Sequence, residues 1–162
     1  MQFGVQFFPD VKPEEKSAAD YFRDSLAIAE AADRIGYTHV RIVEHYFHYY
    51  GGYSPNPIVF LAAAAMRTTN ARLVTGAVLP IFNNPLKLAG EIAMLDGISG
   101  GRLDVGFARA FLPHEFRRFG ISRRWRERTT SVSTAKATRT DCAGTTSSSK
   151  PGSSPRRIFS TP

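Results

Sequence analysis

The sequence predicts an α/β fold built on a parallel sheet, and three observations carry that prediction. Four β-prone runs alternate with segments of helical periodicity. The runs begin near residues 3, 38, 72 and 102, a repeat of about 30–35 residues that suits right-handed βα units. They are also apolar at consecutive positions, as in VTGAVL at 74–79, the composition of a parallel strand covered on both faces.

The elements follow in order. Residues 3–8, FGVQFF, are β-prone and are closed by Pro9-Asp10, and 11–17 are polar and loop-like. Between residues 18 and 35, Ala19, Phe22, Leu26, Ala29, Ala32 and Ile35 recur at helical spacing, and Gly36 supplies a stop. Residues 38–43, THVRIV, read as the second strand and lead into the polar and aromatic EHYFHYYGGYSPNP. Pro57 opens the next helix, where its missing N–H costs nothing; that helix is expected to run to about Thr68. Residues 72–79 are the third strand. Pro85 opens a helix that Gly100-Gly101 terminates, and 102–108, RLDVGFA, are the fourth strand.

Two architectures accommodate this order, a doubly wound sheet and a (β/α)8 barrel. No GxGxxG and no GxxxxGK[ST] occurs in the sequence, which counts against dinucleotide-fingerprint and P-loop readings. A complete (β/α)8 barrel takes about 250 residues. The patterned part of this chain would hold four of its eight strands.

Charge divides the chain in two. Residues 1–121 carry 12 Lys+Arg and 12 Asp+Glu, net 0, whereas 122–162 carry 9 Lys+Arg and 2 Asp+Glu, the whole net charge of +7. A nucleic-acid reading of the basic pI would therefore be misplaced for the patterned part. Cys142 is the single cysteine, so no internal disulfide framework is possible, which suits a reducing cytoplasm. The opening MQFGVQFFPD has neither a basic segment nor a long apolar core, so a secretory leader is not expected. The longest apolar run, 58–66, has nine residues, well short of the roughly 20 that cross a bilayer. A soluble cytoplasmic protein is the expectation.

In α/β barrels the chemistry sits at the carboxyl ends of the strands. Those ends carry Phe8-Pro9-Asp10, then Glu44-His45-Tyr46-Phe47-His48, then Thr75-Gly76-Ala77, then Ala108-Arg109-Ala110-Phe111. An arginine there suits a phosphate or carboxylate, and a histidine suits proton transfer near neutral pH. His45 and His48, three apart, fall on opposite faces of a strand, and Glu44 faces away from His45, so no metal site is expected. Taken alone, His45 reads as an ordinary hydrogen-bonded strand-end histidine.

Three segments carry a resemblance: VEHYF, NPIVFLAAAAMRTTNARLVTGAVLP, and NNPLKLAGEIAMLDGISGGRLDVGFARAFLPHEFRRFG. Together they resemble the N-terminal half of the bacterial luciferase-like monooxygenases, flavin-dependent (β/α)8 barrels, across residues 1–121. The resemblance implies the N-terminal half of a (β/α)8 TIM barrel, about four βα units; relatives continue beyond it into further βα units, whereas the composition of 122–162 predicts a disordered C-terminal tail. It implies reduced FMN as cofactor, with a deazaflavin and hydride transfer as the alternative, and dioxygen as co-substrate. A separate reductase would supply the flavin, one oxygen atom would pass to a small organic substrate, and full-length relatives would be dimeric.

The same resemblance assigns roles. His45 becomes the acid–base group beside the flavin ring. Thr75 and Gly76 match the small pair where the family has a non-proline cis peptide, and Arg109 matches the flavin-phosphate ligand. Glu115 matches an acidic position near the flavin. Ala108 stands where bacterial luciferase has a cysteine, so no reactive thiol is expected.

Plainer readings hold elsewhere. Tyr46, Phe47, Tyr49, Tyr50 and Tyr53 are packing aromatics before they are a substrate pocket. Arg117-Arg118 is a solvated or helix-dipole pair. Residues 62–65, all alanine, permit close helix packing, and in relatives that helix lies near the dimer interface.

Residues 122–162 contain 9 Ser, 8 Thr and few apolar residues, too little to offset chain entropy, so disorder is expected. The abrupt end of the resemblance points to a frameshift, which downstream barrel sequence in another reading frame would verify. The scattered charge favours weak, salt-sensitive association over specific nucleic-acid binding. Four strands cannot close a barrel and leave two edges, so little flavin binding and little turnover are expected of this chain alone.

Overall fold

The computed structural model describes residues 1–121. Four strands, β1 (Gly4–Phe7), β2 (His39–Ile42), β3 (Arg72–Thr75) and β4 (Leu103–Asp104), alternate with α1 (Ala18–Arg34), α2 (Pro57–Ala65) and α3 (Pro85–Ser99). A short helix, α4 (Pro113–Arg118), follows β4, and a 3-10 turn spans Pro80–Phe82. The strands pair in parallel in the order β1-β2-β3-β4. A doubly wound sheet reverses its order at a switch point. This sheet does not, so it is the arc of a singly wound barrel. Reading across it, Gln6, Arg41, Val74 and Asp104 share one row.

Local chemistry sets the helix starts. Ser17 caps α1 by accepting from Asp20 N, while Asn56 and Asn84 cap α2 and α3 with a proline directly after each. Gly100 ends α3 in the left-handed conformation at φ 66°, which glycine adopts without strain. The core lies between one face of the sheet and α1–α3. Phe7, Val40, Ile42 and Leu73 from the strands meet Ala29, Ile58, Phe60, Leu61, Ala64, Leu88 and Leu95 from the helices. Alternation along β2 sends Val40 and Ile42 to this face and leaves Arg41 exposed on the other.

Two polar clamps join the elements at the amino ends of the strands. The Asp33 carboxylate, at the end of α1, accepts the backbone N–H groups of Thr69, Asn70 and Ala71 at 2.8, 3.0 and 2.6 Å. Burial alone would raise this carboxyl, but those bonds outweigh it and hold it below its ordinary 3.8. The Arg102 guanidinium donates to Ser99 O, Thr68 Oγ1, Ala71 O and Ala65 O at 2.8–3.0 Å. It thereby satisfies carbonyls at the ends of α2 and α3.

Several boundaries differ from expectation. Helix α2 stops at Ala65, short of Thr68, and beyond its end the Thr68 hydroxyl donates to Ala64 O. Strand β3 stops at Thr75, short of 79. The next peptide but one, Gly76–Ala77, is cis, and pairing resumes only as a bridge between Val78 and Phe107. The cis bond thus lies one residue beyond the expected Thr75-Gly76 step. Helix α4 was not foreseen. The expectations for residues 122–162, and for Cys142 among them, lie outside the described residues. No described helix is long and apolar enough to cross a membrane.

Candidate active site

The loops after the four strands converge at the carboxyl edge of the sheet, and His45 sits among them, 7% exposed. Its backbone N–H donates to Ser54 O at 3.0 Å, which folds the loop after β2 back over it. Phe8 from the first loop, Tyr50 from the second and Phe111 from the fourth surround the imidazole, with ring centroids at 5.8, 5.4 and 6.0 Å. Gly51 lies against the ring, at φ 71°. A Cβ there would stand 2.7 Å from His45 Cδ2 and 2.8 Å from its Cβ, so only glycine lets the loop approach this closely.

One buried carboxylate fixes the ring. Glu115, on α4, is fully buried. Its Oε1 lies 3.0 Å from His45 Nδ1 and accepts the Tyr46 backbone N–H at 3.0 Å. Its other oxygen, Oε2, is buried without a hydrogen-bond partner among the described residues. The pair spans 70 residues of sequence. It forms because the turn after Pro113 faces Glu115 and Phe116 inward and leaves Arg117 and Arg118 exposed.

Glu44 has different partners. It accepts from Tyr46 Oη at 2.5 Å, Leu79 N at 3.0 Å and Asn83 Nδ2 at 3.0 Å, tying the loops after β2 and β3. Burial pushes its carboxyl up, against those three bonds. The Tyr46 phenol is pushed up as well, by burial and by the carboxylate it serves. Tyr46 packs edge-on against Phe82 and Phe119, so it is a packing aromatic. Tyr53 donates to Lys16 O, and Phe47 and Tyr49 are exposed. Arg118 lies over the Phe47 ring at 5.9 Å.

The remaining sequence-predicted residues line neighbouring strand ends. The Thr75 hydroxyl accepts from the N–H of Gly106 at 2.8 Å and donates to its C=O at 3.1 Å, tying the ends of β3 and β4. Gly76 O accepts from Arg41 Nη2 at 3.3 Å, and a Cβ at Gly76 would fall 2.1 Å from Arg41 Nε. Arg109 and Ala108 are exposed on the loop after β4. His48 does not join His45; it stacks on His114 with centroids 4.7 Å apart. Burial first, and then the neighbouring His48, lowers the His114 imidazole. Among the described residues no group of three His, Cys, Asp or Glu could hold a metal ion.

Sequence reasoning missed the ring of Phe8, Tyr50 and Phe111, the reach of Arg41 under Gly76 and the Arg102 clamp. The Gly51-Gly52 pair was the available signal for a loop pressed against a side chain. The others are contacts between distant segments and leave no local mark.

The family described as luciferase-like monooxygenase matches residues 1–132, eleven residues beyond the end of the described structure. The crystal structure of monooxygenase RslO1 from Streptomyces bottropensis is 64% identical, with a TM-score of 0.76, covering 80% of this chain and 40% of that one. The oxygenating constituent of 3,6-diketocamphane monooxygenase from Pseudomonas putida, a type II Baeyer-Villiger monooxygenase in complex with FMN, is 32% identical. Its TM-score is 0.71, with 76% of this chain and 33% of that chain covered. The oxygenase component of the flavin-dependent trigonelline monooxygenase of Acinetobacter baylyi is 34% identical over 118 residues, 73% of this chain and 32% of that protein. The chain spans about a third of the length of the curated relatives it matches. With a strand order that belongs to a barrel and a match over most of its length, the chain belongs to the luciferase-like monooxygenase family.

Proposed function

We propose that this chain carries the flavin side of a luciferase-like, flavin-dependent monooxygenase that oxygenates a small organic substrate. The observation that carries the reading is the enclosed His45 at the carboxyl end of β2, its Nδ1 held by buried Glu115. The aromatic side chains around the imidazole limit access of water.

The residues present fit a flavin. Arg109 is an exposed cation at the end of β4, suited to the phosphate of reduced FMN. Gly76, Ala77 and Ala108 offer no bulk at adjacent strand ends, so the backbone of Thr75, Gly76 and Ala77 forms a wall for the ring. Reduced FMN, when bound, supplies the electrons that activate dioxygen. His45 delivers and recovers the proton. A separate reductase supplies the flavin. The solvent face of α2 and α3, where Val59, Met66, Leu86 and Met94 are each at least 66% exposed, suits a second copy of the barrel. A reducing cytoplasm suits the single Cys142.

Anaerobic titration of reduced FMN into the purified chain tests the reading. The expected result is weak, saturable binding that Arg109→Ala weakens by roughly tenfold or more, the worth of a charge-assisted hydrogen bond. Binding indifferent to Arg109→Ala would remove the phosphate assignment. Tight stoichiometric binding would show that the strands present suffice. Preference for a deazaflavin over FMN would move the chain to hydride-transfer chemistry.

A further inference from the structure

The resemblance implies only that Glu115 lies near the flavin. We propose that Glu115 is a positioning residue that acts through His45, fixing the imidazole as its Nδ1–H tautomer and so making Nε2 the atom that takes and returns the proton. This rests on the proton-handling role proposed above for His45.

Three observations support it. Glu115 is 0% exposed, so a ligand cannot reach its carboxylate without displacing the loops that cover it. Its Oε1 already accepts a peptide N–H, from Tyr46, and a peptide nitrogen can only donate. The same oxygen faces His45 Nδ1 at 3.0 Å, where an ionised carboxylate can only accept, so the shared proton belongs to the imidazole. The ring cannot turn away to offer Nε2 instead. Gly51 presses on its Cβ–Cγ–Cδ2 edge, Phe111 meets it at 89°, and its backbone is tied to Ser54. The orientation is therefore set before any ligand arrives.

The proton balance is simple. With His45 neutral and Glu115 ionised the pair carries −1. A proton accepted at Nε2 gives imidazolium, still donating from Nδ1 to the carboxylate, and the pair becomes neutral. Release of that proton restores the first state, and no electron moves.

The test is ¹⁵N NMR of the purified full chain labelled at histidine, with His45 assigned by loss of its signals in His45→Gln. With the ring neutral, at alkaline pH, the wild type should show a protonated, pyrrole-type Nδ1 and a bare, pyridine-type Nε2. Glu115→Gln should keep that pattern, because its amide oxygen still accepts from Tyr46 and His45. Glu115→Ala should lose it in favour of the Nε2–H form usual for an unconstrained histidine. A wild-type spectrum with a protonated Nε2 and a bare Nδ1 would overturn the proposal. So would a folded Glu115→Ala protein, judged by circular dichroism, with an unchanged His45 tautomer. Should Glu115→Ala fail to fold, the wild-type and Glu115→Gln spectra still decide. The tautomer is read without flavin, so a chain that bound no FMN would count against the flavin reading and leave this assignment to the spectra.

Discussion

Replacing Gly51 by alanine should disturb His45 from behind, and a second glycine in the same chain provides the control. Gly51 has φ 71°, and its added Cβ would lie 2.7–3.0 Å from three atoms of His45. Gly100 has φ 66°, with nothing within 4 Å of an added Cβ. Both substitutions carry the left-handed backbone penalty of about 1–2 kcal/mol. Only Gly51→Ala adds overpacking, about 1–3 kcal/mol for a methyl forced into a filled site. The His45 ring cannot retreat, since Phe8, Tyr50 and Phe111 surround it. Gly51→Ala should therefore be less stable than Gly100→Ala by about 1–3 kcal/mol. Urea melts followed by far-ultraviolet circular dichroism measure the difference as a shift in midpoint at constant slope. Equal stabilities for the two variants, within about 0.5 kcal/mol, would show that the loop does not bear on the ring, and the packing argument for His45 would fail.

Three further outcomes follow from the clamps and the buried acids. Asp33→Ala should cost roughly 3 kcal/mol at pH 7, since it strips three backbone donors of a charged acceptor. The Asp33 carboxyl is lowered in the folded state, so its contribution is present above 3.8 and fades as pH falls through the depressed value. The difference between variant and wild type in urea melts should therefore be smaller at pH 2.5 than at pH 7. Arg102→Met should cost about 3 kcal/mol, and Arg102→Lys should recover less than half, because an ammonium cannot span four acceptors in a planar fork; thermal melts read both. Tyr46→Phe removes a donor that favours ionised Glu44, whose carboxyl burial pushes up. The folded Glu44 site is thus most stable below 4.5 and loses stability as pH rises through the raised value. The cost of Tyr46→Phe, about 1–3 kcal/mol, should be larger at pH 8 than at pH 4; a cost independent of pH would contradict the assignment of Glu44.

The parts of this molecule that were legible in the sequence are those with local causes. Asn56-Pro57 and Asn84-Pro85 announce helix starts because cap and N1 proline are adjacent, and Gly100 announces a stop because one residue adopts the left-handed turn. Period and composition located all four strands. What could not be read depends on contacts across tens of residues. Strand β3 ends early at a Gly76–Ala77 cis step that its apolar run does not signal. Helix α4 has only six residues, too few for periodicity, yet it carries Glu115. His45 and Glu115 were each singled out, but nothing in the chain between them says that they touch. Arg102 read as the first residue of a strand, and only the fold shows it holding the ends of two helices.

The sequential order of the strands has a consequence for assembly. Each strand pairs with the one before it, so the partner of every strand has already emerged when the ribosome releases it. β2 can dock on β1 once the chain through Ile42 has left the ribosome, and the Asp33 clamp then offers its acceptor to the segment that leads into β3. A doubly wound sheet has no such freedom, since its later strands must find an edge opened on the far side of the first. Here the sheet grows from one side like a row of tiles, and at every stage the apolar face already laid is covered by the helix just completed.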